Sequence, residues 1–218
     1  MRTSDFLVIG AGVSGAAAAW ELAAYGSVIL LEAEDRPGYH ATGRSAALYT
    51  PNFGAPLVRA INAASRDFFE TPQEGFADVP LLAPRGALTL ARPGEEAALD
   101  AVLAGSTPRD PIVAIQRKEA IERAPAIRPG MIAAACYEPG VADMDVAAIH
   151  QGFLRGARAR GADLVCGQRV ETLDLSGETW SARAGGERYQ ARVVVNAAGA
   201  WGDVVGALAG ASPQGVTP

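Results

Sequence analysis

The sequence predicts an α/β fold in which a parallel sheet, opened by a βαβ unit and extended by an antiparallel excursion, is interrupted by an inserted α+β region. Three observations predict it. The apolar run Phe6-Leu7-Val8-Ile9 breaks into Gly10-Ala11-Gly12-Val13-Ser14-Gly15, a second apolar run closes on Glu32, and a late run, Val193-Val194-Val195, ends in Asn196-Ala197-Ala198-Gly199. Strands that alternate with helical segments favour parallel pairing, because a crossover is needed to return the chain in the same direction.

Taken in order, Phe6 to Ile9 supply a buried strand, Gly10 permits the tight turn after it, Gly12 lets backbone approach a pyrophosphate, and Gly15 lets helix and strand touch. The helix from Val13 to Tyr25 is packed with Ala16 to Ala19, and Gly26 stands where a left-handed C-cap belongs. Ser27 to Leu31 form the second strand. Glu32 follows the glycines by the roughly 20 residues that place an acid beside a ribose. Free N–H groups at the helix start, with the aligned peptide dipoles, offer positive charge to phosphates. The glycine pattern alone is weak evidence; the strand before it, the helix after it and the acid beyond it make it a Rossmann-like dinucleotide site.

From Ala33 to Ala47 the chain is polar and punctuated by glycine, too irregular for an ordinary connection, and long ordered loops carry function. Pro56 opens a helix with Leu57, Ile61, Ala64 and Phe68 on one face, which marks it as a packed element, while Arg59, Asn62 and Arg66 face elsewhere. Strands at 86–91 and 112–116 and helices at 95–104 and 118–124 complete the inserted α+β region. Asp145 is placed as N-cap of a helix through Arg160, with Ile149, Phe153, Leu154 and Ala157 as its apolar face and Gly161 as its end. Residues 164–166 extend the parallel sheet. Segments 169–175, 179–184 and 187–191 form the antiparallel excursion, turning at Ser176-Gly177 and Gly185-Gly186. Val193 to Val195 return as a separate, fully buried strand, and Trp201-Gly202 begin a helix aimed at the ligand.

The organisation that follows is a dinucleotide-binding segment at 1–52, part of a substrate-side region at 53–140, and a second dinucleotide-binding segment at 141–218. The ending at Thr217-Pro218, soon after a nucleotide-type strand, predicts a longer parent protein.

With 218 residues, 49% of them hydrophobic, the chain can bury a substantial core. Its net charge is −5 and its Lys and Arg are scattered, so it offers no basic stripe for nucleic acid. No run approaches the roughly 18 apolar residues of a membrane span, and the N-terminus lacks a secretory core. Cys136 and Cys166 are isolated from each other and from any metal-ligand spacing, and read as buried free thiols of a reducing, cytoplasmic compartment.

The opening motif serves NAD and FAD alike. Two later segments, Gly43-Arg44-Ser45-Ala46-Ala47 and Asn196 to Trp201, resemble the D-amino-acid-oxidase-like family of FAD-dependent oxidoreductases. The resemblance covers essentially the whole chain and is closest in residues 5–50. Within the family, Pro37 to Ala47 is most similar to the bacterial D-amino-acid dehydrogenase branch typified by D-arginine dehydrogenase. It implies non-covalent FAD, with Glu32 at the adenosine ribose, Ala33 beside it, and Gly10, Gly12, Val13, Ser14 and Gly15 around the pyrophosphate. Ala41, Thr42, Gly43, Arg44, Ser45, Ala46 and Ala47 would line the flavin side, Val170 would touch the adenine through its main chain, and Ala198, Gly199 and Trp201 would form a second approach to the cofactor. Arg44 either neutralises charge on the cofactor or pairs with a carboxylate. His40 receives no catalytic role, and no catalytic residue is assigned.

The activity implied is oxidation of a small-molecule amino acid or amine by hydride transfer from Cα to flavin N5. The electron acceptor stays open among oxygen, a quinone and a carrier protein. Leu48, Phe53 and Ala87 stand where the D-arginine branch carries a histidine, a tyrosine and a glutamate near the substrate. Without the acid at position 87 a buried guanidinium lacks its partner, so the expected substrate is an apolar or neutral D-amino acid. The carboxylate-binding arginine and the final glycine-rich segment of relatives are absent, so the chain alone is expected to be inactive. An NAD-binding Rossmann dehydrogenase, and a non-catalytic dinucleotide-binding module or redox-complex subunit, are the competing readings.

Overall fold

The computed structural model describes residues 1–218. In chain order the first half contains β1 (Arg2–Ile9), α1 (Val13–Leu22), β2 (Val28–Leu31), β3 (Leu48–Tyr49), α2 (Pro56–Glu70), β4 (Leu82–Pro84), β5 (Ala87–Ala91) and α3 (Ala97–Leu103). It continues with β6 (Val113–Ile115), α4 (Arg117–Arg123), β7 (Ala134–Glu138), β8 (Ala142–Met144), α5 (Val146–Ala159), β9 (Asp163–Val165), β10 (Val170–Ser176), β11 (Thr179–Ala184), β12 (Glu187–Asn196) and α6 (Gly202–Leu208). Two compact units emerge: Met1–Ser45, Gln73–Val79 and Val146–Pro218 form the first, Ala46–Pro72 and Pro80–Asp145 the second.

The first unit is built on one six-stranded sheet ordered β10-β11-β12-β1-β2-β9. β1 pairs in parallel with both β2 and β12, β2 pairs in parallel with β9, and β10 to β12 form the antiparallel excursion. Leu7, Ile9, Ile29, Leu31 and Leu173 join Tyr189 and Val205 in one apolar core. α1 lies over β1 and β2 and packs on α5. That helix pair closes tightly because α5 carries glycine at the contact: a Cβ at Gly156 would stand 2.5 Å from Trp20, and one at Gly152 would stand 2.5 Å from Phe76. Trp20, Phe76 and Phe153 fill the space around them, with ring centroids 5.0 to 6.1 Å apart.

Several expectations are corrected here. α1 stops at Leu22, and residues 23–25 form a turn closed by Tyr25 N–H on the Leu22 carbonyl. Gly26 has no positive φ; glycine is needed because a Cβ there would sit 2.7 Å from the Asp5 carboxylate. That carboxylate accepts from the Ser27 N–H and hydroxyl, and those bonds hold its pKa below the ordinary value. The excursion strand and the valine run are a single strand, β12, antiparallel to β11 on one side and parallel to β1 on the other. The valines are not fully buried: α1 covers β1 and β2, leaving Val193 45% exposed. Cys136 is buried but Cys166 is only partly so. Burial is the chief cause that pushes both thiols above their ordinary pKa.

The second unit holds two three-stranded sheets, β3-β8-β4 and β5-β7-β6. The strands β3, β4, β7 and β8 were not expected from the sequence. β7 is central in its sheet, and its alternate residues serve two cores: Cys136 packs with Ala91, Leu99 and Ile112, whereas Ala135 packs with Ala120 and Ile132. α2 reverses the expected packing. None of its residues is buried, and Leu57 and Ile61 of the apolar face are exposed. The inward side carries polar groups beside an aromatic one: Phe69 meets the Tyr49 ring with centroids 6.5 Å apart, the Asn62 side-chain amide donates to the Thr50 carbonyl at 3.2 Å, the Asn62 main-chain carbonyl accepts from the Tyr49 hydroxyl at 3.0 Å, and Arg66 pairs with the buried carboxylate of Asp110.

Candidate functional site

A cavity of about 430 Å³ opens at the carboxyl ends of β1, β2 and β12 in the first unit. The place follows from topology. β1 sends the chain to β2 on one side and receives β12 on the other, and ligands of open α/β sheets bind at such a divergence beyond the strand ends.

Each glycine of the β1–α1 turn has its own cause. Gly10 has φ +100°, and a Cβ there would meet the Ala197 carbonyl oxygen at 2.5 Å, so this glycine lets the ends of β1 and β12 touch. A Cβ on Gly15 would collide with the Gly10 carbonyl oxygen. Gly12 differs: its φ of −73° is open to any residue, and a Cβ would meet only Thr42 Oγ1, at 3.2 Å. The protein's own backbone makes no demand for glycine there. What the missing side chain keeps open is the cavity, which Gly12 and Thr42 both line.

The loop after β2 folds over the start of α1. Thr42 Oγ1 accepts from Val13 N–H at 3.0 Å, and the first turn of α1 contains no acidic residue, so no side chain of the helix itself offsets its positive end. Glu32 is 8% exposed and accepts from two backbone donors, Ala11 N–H at 2.9 Å and Glu34 N–H at 3.0 Å. A carboxylate has about four acceptor sites, so two bonds fix its position while leaving capacity for a ligand hydroxyl. Gln168 N–H donates to the Glu32 carbonyl at 2.7 Å and brings the start of β10 to the same wall.

Of the residues expected at the cofactor, the cavity is lined by Gly10, Gly12, Glu32, Ala33, Ala41, Thr42, Val170, Ala198, Gly199 and Trp201. Val13 reaches it through its bond to Thr42, and Gly15 supports the turn from behind. Ser14 is exposed at the helix start. Gly43 and Arg44 lie in the short 3-10 turn Thr42–Arg44, with the Arg44 guanidinium 5.0 Å from the centre of the Tyr39 ring. Ser45 ends the first segment of the first unit, and Ala46 and Ala47 begin the second unit. Leu48, Phe53 and Ala87 also belong to the second unit, where Leu48 and Phe53 expose their side chains.

The cavity also draws on residues not assigned to the cofactor beforehand, among them His40, which was given no catalytic role. His40 packs against Trp201 with ring centroids 4.4 Å apart and planes inclined at 48°, and its Nε2 lies 2.9 Å from Glu34 Oε1. Gln168, Arg169, Val204 and Leu208 are also part of the wall. A pattern of small residues marks where backbone approaches a ligand but says nothing of which side chains close around it. No group of three or more His, Cys, Asp or Glu is arranged to hold a metal ion, and no helix is long and apolar enough to cross a membrane.

A family described as FAD dependent oxidoreductase, DAO, matches residues 5–218. Among solved structures, glycine oxidase from Geobacillus kaustophilus is similar at 24% identity and TM-score 0.85, over 97% of this chain and 60% of that one. L-proline dehydrogenase from P. horikoshii is similar at 22% identity and TM-score 0.83, over 98% and 57%. L-alpha-glycerophosphate oxidase from Mycoplasma pneumoniae, solved with FAD bound, is similar at 19% identity and TM-score 0.82, over 95% and 57%. These likenesses are of fold. The chain spans about 60% of the length of the first of these proteins.

Proposed function

Because this chain belongs to the DAO family of FAD-dependent oxidoreductases, we propose that the cavity of the first unit holds FAD and that the protein oxidises an amino acid. The observation that carries the cofactor assignment is Gly12, a glycine its backbone does not require, set between a helix start with no acid in its first turn and the fixed carboxylate of Glu32. The α1 N–H groups bind the diphosphate, Glu32 takes the adenosine ribose, and the Val170 main chain flanks the adenine. Thr42, Ala198 and Trp201 orient the ring-bearing half. When bound, FAD supplies the two-electron acceptor to which the substrate Cα–H passes as hydride, leaving an imino acid that water hydrolyses.

The substrate class has two supports. Glycine oxidase and L-proline dehydrogenase are among the fold relatives; the second support is the resemblance to the D-amino-acid dehydrogenase branch, which implies a D-amino acid and, with Leu48, Phe53 and Ala87 at positions it places near the substrate, an apolar or neutral side chain. The unpaired thiols are in keeping with a reducing compartment. Anaerobic addition of D- and L-amino acids to the FAD-loaded full-length parent protein tests this. Bleaching of the flavin by apolar D-amino acids is the expected result. Bleaching by glycerol phosphate alone, or a marked preference for D-arginine, would overturn the substrate assignment while leaving the cofactor assignment intact.

A further inference from the structure

We propose that His150 is a positioning residue for the cofactor, holding the Ala11–Gly12 peptide in the orientation that aims the Gly12 N–H at the diphosphate. The inference rests on the reading that FAD occupies the cavity at the ends of β1, β2 and β12. His150 lies on α5, distant in sequence from the glycine turn, and is 4% exposed. Its Nε2 is 2.9 Å from the Ala11 carbonyl oxygen. That oxygen can only accept, so the imidazole nitrogen facing it carries the proton. The same oxygen receives Gly38 N–H at 3.1 Å, so two donors occupy it, while Ala11 N–H is held by Glu32 Oε2 at 2.9 Å.

Ala11 is thereby fastened at both its polar atoms and is fully buried. The next peptide is planar and trans, so a carbonyl drawn toward His150 and Gly38 turns the Gly12 N–H to the opposite side, and Gly12 is a residue of the cavity wall. Packing alone does not call for histidine. Gly38, at φ +73°, leaves room for a ring, since a Cβ there would stand 2.7 Å from His150 Cε1, and an apolar side chain could fill that room without the cost of burying a polar head. What only a donor provides is the bond to Ala11.

The matched pair His150→Gln and His150→Met tests this, because both side chains have similar length and only glutamine can donate to the carbonyl. FAD affinity, read by quenching of flavin fluorescence on the full chain, is expected to fall about ten-fold in the methionine variant and to stay within about three-fold of the parent in the glutamine variant. Thermal midpoints without FAD are expected to be alike in the two variants. Equal affinity in both would overturn the proposal. A second measurement needs no variant: ¹⁵N spectra of the unaltered chain are expected to show His150 as the Nε2–H tautomer, and an Nδ1–H tautomer would contradict it. Glu32→Ala separates the two layers of the argument. If it weakens FAD binding while His150→Met does not, only the present inference fails; if neither matters, or the parent binds no FAD, the cavity assignment fails and takes this inference with it.

Discussion

In the first unit the strands β1 and β2 turn their apolar side chains into shared cores, whereas in the second unit α2 turns Leu57 and Ile61 outward and is fastened by Asn62 and Arg66. The difference teaches that an amphipathic pattern identifies which side of a helix is apolar, but not which side meets its own unit. A polar side chain with a buried partner can override apolar area: Asp110 is 5% exposed and needs a cation, and Arg66 supplies it. In the first unit the corresponding control lies in glycines, which set how closely elements approach.

Replacing a glycine that touches backbone should therefore do the most damage. Gly15→Val is expected to cost about 3 kcal/mol or more, because the intruding carbons face the Gly10 carbonyl and backbone cannot yield as a side chain would. Urea unfolding measures this, and a cost near zero would mean the α1–β1 contact is looser than described. In the second unit the contrast is sharpest on α2. Arg66→Ala is expected to cost about 2 kcal/mol by leaving Asp110 buried without its partner, discounted because Arg66 is itself partly exposed. Leu57→Ser combined with Ile61→Ser should change stability by less than about 0.5 kcal/mol. If the paired serine substitutions are the more harmful, the polar anchoring of α2 is wrong.

Thr42→Val removes the acceptor for Val13 N–H and should cost about 1 kcal/mol, with FAD affinity lowered several-fold, measurable by flavin titration. The smallest effect concerns Asp203, whose carboxylate accepts from the N–H groups of Gln214, Gly215 and Val216. Those bonds, led by Gln214, hold its pKa below the ordinary 3.8. A carboxylate depressed by folding contributes above its unfolded pKa and loses that contribution as pH falls through the folded value. Protection of the three amides against hydrogen exchange should accordingly be pH-independent above about pH 5, decline in stronger acid, and lose that decline in Asp203→Asn.

Much of the first unit was legible because its signals are local. A glycine turn between a strand and a helix, an acid after the next strand, and paired glycines at Gly185-Gly186, both with positive φ, each dictate structure within a few residues. Less could be read where the partner is remote in sequence. β7 reads Ala-Ala-Cys-Tyr-Glu, weak in the β-branched residues that mark strands, and it exists because β5 and β6 flank it. His150 carries no motif, and its bond to Ala11 exists only once α5 has packed on α1. The cavity's small residues were visible; the aromatic wall of His40 and Trp201, brought together from the loop after β2 and the turn after β12, was visible only in part.

The most direct test of the account is FAD titration of the unaltered chain against Gly12→Leu. Gly12 has backbone dihedrals that leucine can adopt, so the variant should fold with a thermal midpoint close to the parent while its side chain occupies the passage beside Thr42. The account predicts a flavin spectrum on the parent and affinity at least about a hundred-fold weaker in the variant, equivalent to roughly 2.7 kcal/mol. A folded Gly12→Leu that binds FAD as tightly as the parent would contradict it.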